Sequence, residues 1–123
     1  MTSPTLRALR GATTCGNDSA QEISAATQEL LVALMVRNDL DHDDVVSVIF
    51  TTTPDLRATF PATAARDVGF GDVPLLCATE IDVPGAMVRC IRVLMHVYST
   101  RERTALVHVY LRDAQSLRDD LPG

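Results

Sequence analysis

The sequence predicts an α+β fold with a mixed sheet of about five strands, one long helix and one short helix. Three observations predict it. One segment near the N-terminus repeats its apolar residues at helical spacing. Several short segments elsewhere are β-branched or alternate strictly, and clusters of Pro, Gly, Asp and Ser separate them.

Residues 5–12, TLRALRGA, alternate loosely and end at Gly11, which suits the edge of a strand followed by a turn. Ser19 and Glu22 form a capping box, and Asp18 adds negative charge at the helix start. Ile23, Ala26, Leu30, Leu31 and Leu34 then recur as one face of an amphipathic helix of about five turns. Asn38 and the acidic stretch Asp39 to Asp44 end it. The run VVSVIFTT, from Val45, reads as a buried strand that Pro54 stops. A loop then leads to a short helix, with Pro61 at its first position, Ala62 to Arg66 in its turns and Gly69 at its end. VPLLCATEI, Val73 to Ile81, reads as a third strand, and DVPG, Asp82 to Gly85, as a turn. Within residues 88–98 the apolar positions also fit a helix. However, Ile91, Val93, Met95 and Val97 alternate with Cys90, Arg92, Leu94, His96 and Tyr98, which predicts a strand. LVHVYLR, from Leu106, is a last strand after the polar connection STRERTA. One helix cannot cover both faces of such a sheet, so the other face is expected to lie against another subunit.

Composition narrows the function. A chain of 123 residues predicts one domain, at about 100–200 residues per domain. Hydrophobic residues at 46% and charged residues at 22% indicate a packed globule rather than a disordered chain. No apolar run approaches the roughly 18 residues that cross a bilayer, and MTSPTLRALRGATT lacks an apolar signal region. A cytoplasmic protein is expected. The net charge of −5 argues against a nucleic-acid partner. All 11 basic residues are Arg, so lysine Schiff-base chemistry is excluded and only planar guanidinium forks remain to hold an anion. Cys15, Cys77 and Cys90 are odd in number with no CxxC spacing, which indicates neither a disulfide framework nor a zinc site. GxGxxG, P-loop, GxSxG and HExxH signatures are absent, and His42, His96 and His108 each stand alone. No cofactor, metal or covalent nucleophile is expected.

What remains is a set of charged residues in unusual places. Arg10 precedes Gly11, Arg92 interrupts the apolar run CIRVLM, Arg66 lies in the short helix, Glu80 closes LLCATE, and Tyr110 lies in HVYL. Each alone is compatible with an ordinary ion pair or a solvated edge. Together they describe a cationic pocket with one carboxylate and one phenol, suited to a small dicarboxylate.

RGATT (10–14), TPDLRATFPATAAR (53–66), CATEIDVPG (77–85), CIRVLM (90–95) and HVYLRDAQSLRDDL (108–121) occur in the order found in one family. Over residues 6 to 121 the chain resembles the barrel-like, homotrimeric chorismate mutases, distinct from the all-helical class with the same activity. The resemblance implies a single domain, residues 1–123, in a trimeric pseudo-α/β-barrel with active sites between neighbours. The reaction would be the Claisen rearrangement of chorismate to prephenate, a step toward phenylalanine and tyrosine. It implies that Arg10 binds a substrate carboxylate, that Arg92 meets the ether oxygen and a carboxylate, and that Glu80 accepts from the ring hydroxyl. Cys77, Tyr110 and Leu117 would line the site, Phe60 and Arg66 would come from the adjacent subunit, and Arg118 would help close it. Thr63 and Leu76 depart from the family pattern. The rival readings are a trimeric enamine/imine deaminase-like enzyme, which would need only one carboxylate-binding Arg, and a non-catalytic binding homologue.

Overall fold

The structure is a computed structural model and describes residues 3–120. Strand β1 is Thr5–Thr14, helix α1 Ala20–Arg37, strand β2 Val45–Thr52 and helix α2 Pro61–Ala65. Strands β3, Leu75–Thr79, β4, Cys90–Ser99, and β5, Val109–Tyr110, complete a sheet of order β3-β2-β4-β1-β5. The β1–β4 and β2–β4 pairs are antiparallel, whereas β1–β5 and β2–β3 are parallel. The predicted α+β fold with five strands, one long and one short helix is therefore what the chain adopts.

Alternation along β4 divides the sheet into two faces. Ile91, Val93, Met95 and Val97 point under α1, where Leu9 of β1, Val48 and Phe50 of β2, and Leu30, Leu31 and Leu34 of the helix close the core. Gly11 lies beneath that helix. A Cβ there would stand 3.1 Å from the end carbons of both Leu30 and Leu34, so the absence of a side chain lets strand and helix approach. The other face carries Arg92, Leu94, His96 and Tyr98, flanked by Leu6, Ala8 and Arg10 on one side and by Ser47, Ile49 and Thr51 on the other. Leu6, Leu76 and Tyr98 are about half exposed or more, so this face is uncovered in the single chain.

Helix α1 starts at Ser19, whose hydroxyl accepts from the Glu22 N–H at 3.1 Å. The second half of the expected capping box is not made, because the Glu22 carboxylate accepts instead from the Gly16 N–H and from Arg112. Asp18 accepts from the N–H groups of Arg57 and Ala58, both at 2.9 Å, and ties the helix start to the loop before α2. At the far end Asn38 is buried, donates to the carbonyls of Leu34 and Val107, and accepts from the Val107 N–H.

Three strand boundaries and the burial of one strand differ from the sequence reading. The first strand does not turn at Gly11 but continues to Thr14, between β4 and β5. The second strand is buried on one face only, at Val48 and Phe50. The third is shorter than Val73–Ile81, since Pro74 has no N–H to donate and only its carbonyl joins β2. The last is reduced to Val109–Tyr110, because Asn38 takes both backbone polar groups of Val107 and leaves none for a ladder there. Beyond it the chain forms 3-10 turns over Arg112–Asp120, which the sequence reading did not assign. Among the described residues no helix is long and apolar enough to cross a membrane.

Candidate active site

The uncovered sheet face holds a cavity of about 440 Å³, within the range of small-molecule sites. Its wall includes Arg10, Thr51, Arg92, Tyr110 and Leu117. Each arrives by local necessity. Ala12 pairs with Arg92 and Arg10 with Leu94, so the two arginines are diagonal neighbours on one face, a spacing of roughly 7–8 Å in such a ladder. Tyr110 stands beside Ala12 on the parallel strand β5. Leu117 comes from the C-terminal turns and packs with Tyr110 and Met87 on buried Ala12, Cys90 and Ala114.

The Arg92 guanidinium is held by one edge. Its Nε–H donates to Glu80 at 3.1 Å, and the other Glu80 oxygen accepts from the Thr51 hydroxyl at 2.8 Å. Neither terminal nitrogen of Arg92 has a hydrogen-bond partner among the described residues, and the side chain is 43% exposed. Those two nitrogens form a planar fork, oriented in advance and available to an anion. Glu80 itself belongs to the adjoining cleft with Ile81 to Val83, so it bridges from that cleft to the cavity. Thr51 was missed by the sequence reading. Only its register opposite Arg92 exposes it, and that register is not visible before the strands are paired.

His108 supports Arg10 from behind, because its Nδ1 accepts from the Arg10 backbone N–H at 2.9 Å. Burial, with the positive charge of Arg10 beside it, pushes the imidazole pKa below its ordinary value. An acceptor Nδ1 requires the neutral ring. Protonation turns that acceptor into a donor, so the stabilisation is full above the ordinary imidazole pKa and is lost as pH falls through the lowered one. The contribution of His108 to the denaturation midpoint is therefore expected to fall on acidification below about pH 6.5, against an opposite contribution from His42, whose pKa the bond to Asp72 raises. A His108→Gln variant should show a flatter profile in that window, and an unchanged profile would contradict the assignment.

The thiols of Cys15 and Cys90 are buried and pushed up to about 11 by burial, as suits packed apolar side chains rather than nucleophiles. The remaining expected site residues do not join the cavity within one chain. Cys77 pairs in register with Phe50, on the helix-facing side of β3, and lines a different cleft together with Phe60. Phe60 is 69% exposed and Arg66 is exposed at the end of α2. The side chain of Arg118 lies outside the described residues.

A family model described as chorismate mutase type I matches residues 6–121. The chain is 44% identical to the chorismate mutase AroH of Thermus thermophilus over 117 residues, spanning 94% of this chain and 96% of that protein. It is 41% identical to the chorismate mutase AroH of Bacillus subtilis, again over 94% of this chain and over 92% of the relative. Among solved structures, a chorismate mutase from Clostridium thermocellum superposes with a TM-score of 0.88 at 48% identity, covering 89% of this chain and 98% of that one. With two guanidinium groups and a carboxylate gathered on one sheet face, and with matches along nearly its whole length, the chain belongs to the type I chorismate mutases.

Proposed function

We propose that the cavity binds chorismate in its compact diaxial conformer and that Arg92 carries the rearrangement to prephenate. The chain is a chorismate mutase, an isomerase, and its substrate is chorismate. Arg10 takes one carboxylate. The free fork of Arg92 spans the ether oxygen and the second carboxylate, while Glu80 accepts from the ring hydroxyl. Tyr110 and Leu117 fill the apolar wall. The single observation that supports this most is the Nε–H bond from Arg92 to Glu80, which leaves both terminal nitrogens without a partner among the described residues in a side chain that lines the same cavity as Arg10.

A pericyclic rearrangement requires neither acid, base nor nucleophile. It requires the substrate folded so that the reacting carbons meet, which is an effect of orientation. The C–O bond breaks ahead of C–C formation, so negative charge grows on the ether oxygen. A guanidinium fixed beforehand by Glu80 and Thr51 stabilises that charge without reorganising. An enamine/imine deaminase-like reaction has no use for a second guanidinium in the same cavity. A binding homologue without activity is disfavoured by the matches to chorismate mutases along nearly the whole chain.

In the same proposal three copies assemble, each cleft taking Phe60 and Arg66 from a neighbour. The uncovered face bearing Leu6, Leu76 and Tyr98, and the exposure of Phe60, support that assembly. So does the position of Cys77, which reaches a cleft beside Phe60 rather than its own chain's cavity. Arg118 would help to close the site. The 123 residues are taken as one domain working in the cytoplasm, without a metal or cofactor.

Purified protein mixed with chorismate and a chelator is expected to consume it, followed by ultraviolet absorbance, with prephenate as the sole product. Light scattering is expected to give the mass of a trimer. A fully active monomer would overturn the shared cleft, and a folded trimer that leaves chorismate intact would overturn the assigned residue roles.

A further inference from the structure

The backbone of Arg112 lies in the left-handed region, at φ 51°, where the chain leaves β5 and enters the C-terminal turns. Arginine gains nothing locally from that conformation, so other contacts must hold it. Its side chain provides them. One terminal nitrogen donates to Glu22 at 2.7 Å and to the Thr14 carbonyl at 3.1 Å, and its Nε lies 3.5 Å from Glu29. The two carboxylates come from one helix, and Glu22 is itself fixed by the Gly16 N–H at 2.9 Å. Next along the chain, the Asp113 N–H donates to the Thr14 hydroxyl at 3.3 Å, and Ala114 is fully buried. Three residues later Leu117 reaches the cavity wall.

We propose that Arg112 is a positioning residue: its guanidinium, clamped on Glu22, Glu29 and the end of β1, sets the C-terminal turns so that Leu117 closes the Arg10–Arg92 cavity. The clamp touches no substrate. Its force is two charge-assisted contacts and a carbonyl bond in a half-buried setting, stronger than an exposed surface pair. The turns beyond it are short and 3-10 in type, so they have little regular structure to hold them in place. The clamp compensates for that by anchoring the first residue of the segment.

This inference rests on the chorismate mutase reading for its kinetic consequence only. The full-length chain is compared with Arg112→Gly and Arg112→Lys. Glycine adopts positive φ freely, so the glycine variant removes the guanidinium without adding backbone strain. Amide hydrogen exchange over residues 113–117 is expected to quicken about tenfold in Arg112→Gly, as the loss of a charge-assisted bond implies, with α1 and β4 unchanged. The KM for chorismate is expected to rise about tenfold with kcat within about twofold, because the lost wall contact serves substrate and transition state alike. Arg112→Lys, which keeps the charge and loses the fork, should fall between. Unchanged exchange at 113–117 in the glycine variant would overturn the clamp. Faster exchange with an unchanged KM would overturn its link to the cavity, as would a fall in kcat alone, the mark of fewer folded molecules. If the parent protein itself left chorismate intact, the residue roles proposed above would fail while the exchange measurement still decided the clamp.

Discussion

Arg92→Ala is expected to raise the barrier to chorismate rearrangement by about 3–4 kcal/mol, a loss of some 10²–10³ in kcat, the scale of removing one donor from an oxyanion site. Glu80 holds the Nε–H edge at 3.1 Å, and Thr51 holds Glu80 at 2.8 Å, so the terminal nitrogens are aimed before substrate arrives. Removing the side chain deletes the donor to the developing negative charge and also leaves Glu80 as an unneutralised carboxylate beside a dianionic substrate. The effect should therefore fall on kcat as well as on KM. Arg92→Lys is expected to fail nearly as badly. A lysine offers one point charge, lacks an Nε–H edge for Glu80, and cannot present two parallel donors. Steady-state kinetics on both variants decides the matter, and a lysine variant with near-native turnover would remove Arg92 from its role.

Phe50→Ala is expected to cost about 3–5 kcal/mol of folding stability, a large share of what a domain of this size possesses. Phe50 is fully buried on the helix-facing side of β2, in the cluster with Leu30, Leu34, Val93 and Met95. The loss combines the transfer of a whole ring to water with the cavity it leaves, since α1 and the sheet are held apart by the remaining side chains. Chemical denaturation should show the full shift, and thermal unfolding should move by on the order of 10 °C or more. Its neighbours Ile49 and Thr51 point to the opposite face, into the cavity. The fraction of variant that remains folded should thus turn over chorismate at close to the parent rate. A stability loss below about 1 kcal/mol would show that the core rearranges to fill the gap.

Much of this was legible in the chain because the signals were local. The Ser19 cap, the helical repeat from Ile23 to Leu34, Pro61 at the first turn of α2 and the alternation through Arg92 each depend on neighbours in sequence. Pairing arises between distant residues and was not legible. Gly11 was read as a turn because glycine ends strands; it is instead the gap through which Leu30 and Leu34 settle onto β1. The expected strand at Leu106 lost most of its ladder to Asn38, a residue read only as a helix stop. Arg10, Arg92, Tyr110 and Leu117 line one cavity, Glu80 reaches its edge by bonding Arg92, and Thr51 joins them through a register that no motif encodes. Cys77, Phe60 and Arg66 do not line that cavity within the single chain, and Cys77 and Phe60 share a separate cleft.

The order of the sheet also dictates when the site can exist during synthesis. Thr5 pairs with Ser99 and Gly11 with Val109, so β1 leaves the ribosome long before the two strands it pairs with. Until β4 emerges, β2 has only its parallel partner β3, and β1 has no strand to join. At roughly 5–20 residues per second the N-terminal strand spends seconds unpaired, with its edges open to other chains. So high a share of non-local pairing places the protein among slow folders rather than fast ones. Arg10 meets Arg92 only in that closing step, so a truncated nascent chain that lacks β4 carries half of the cationic pair and none of the cavity.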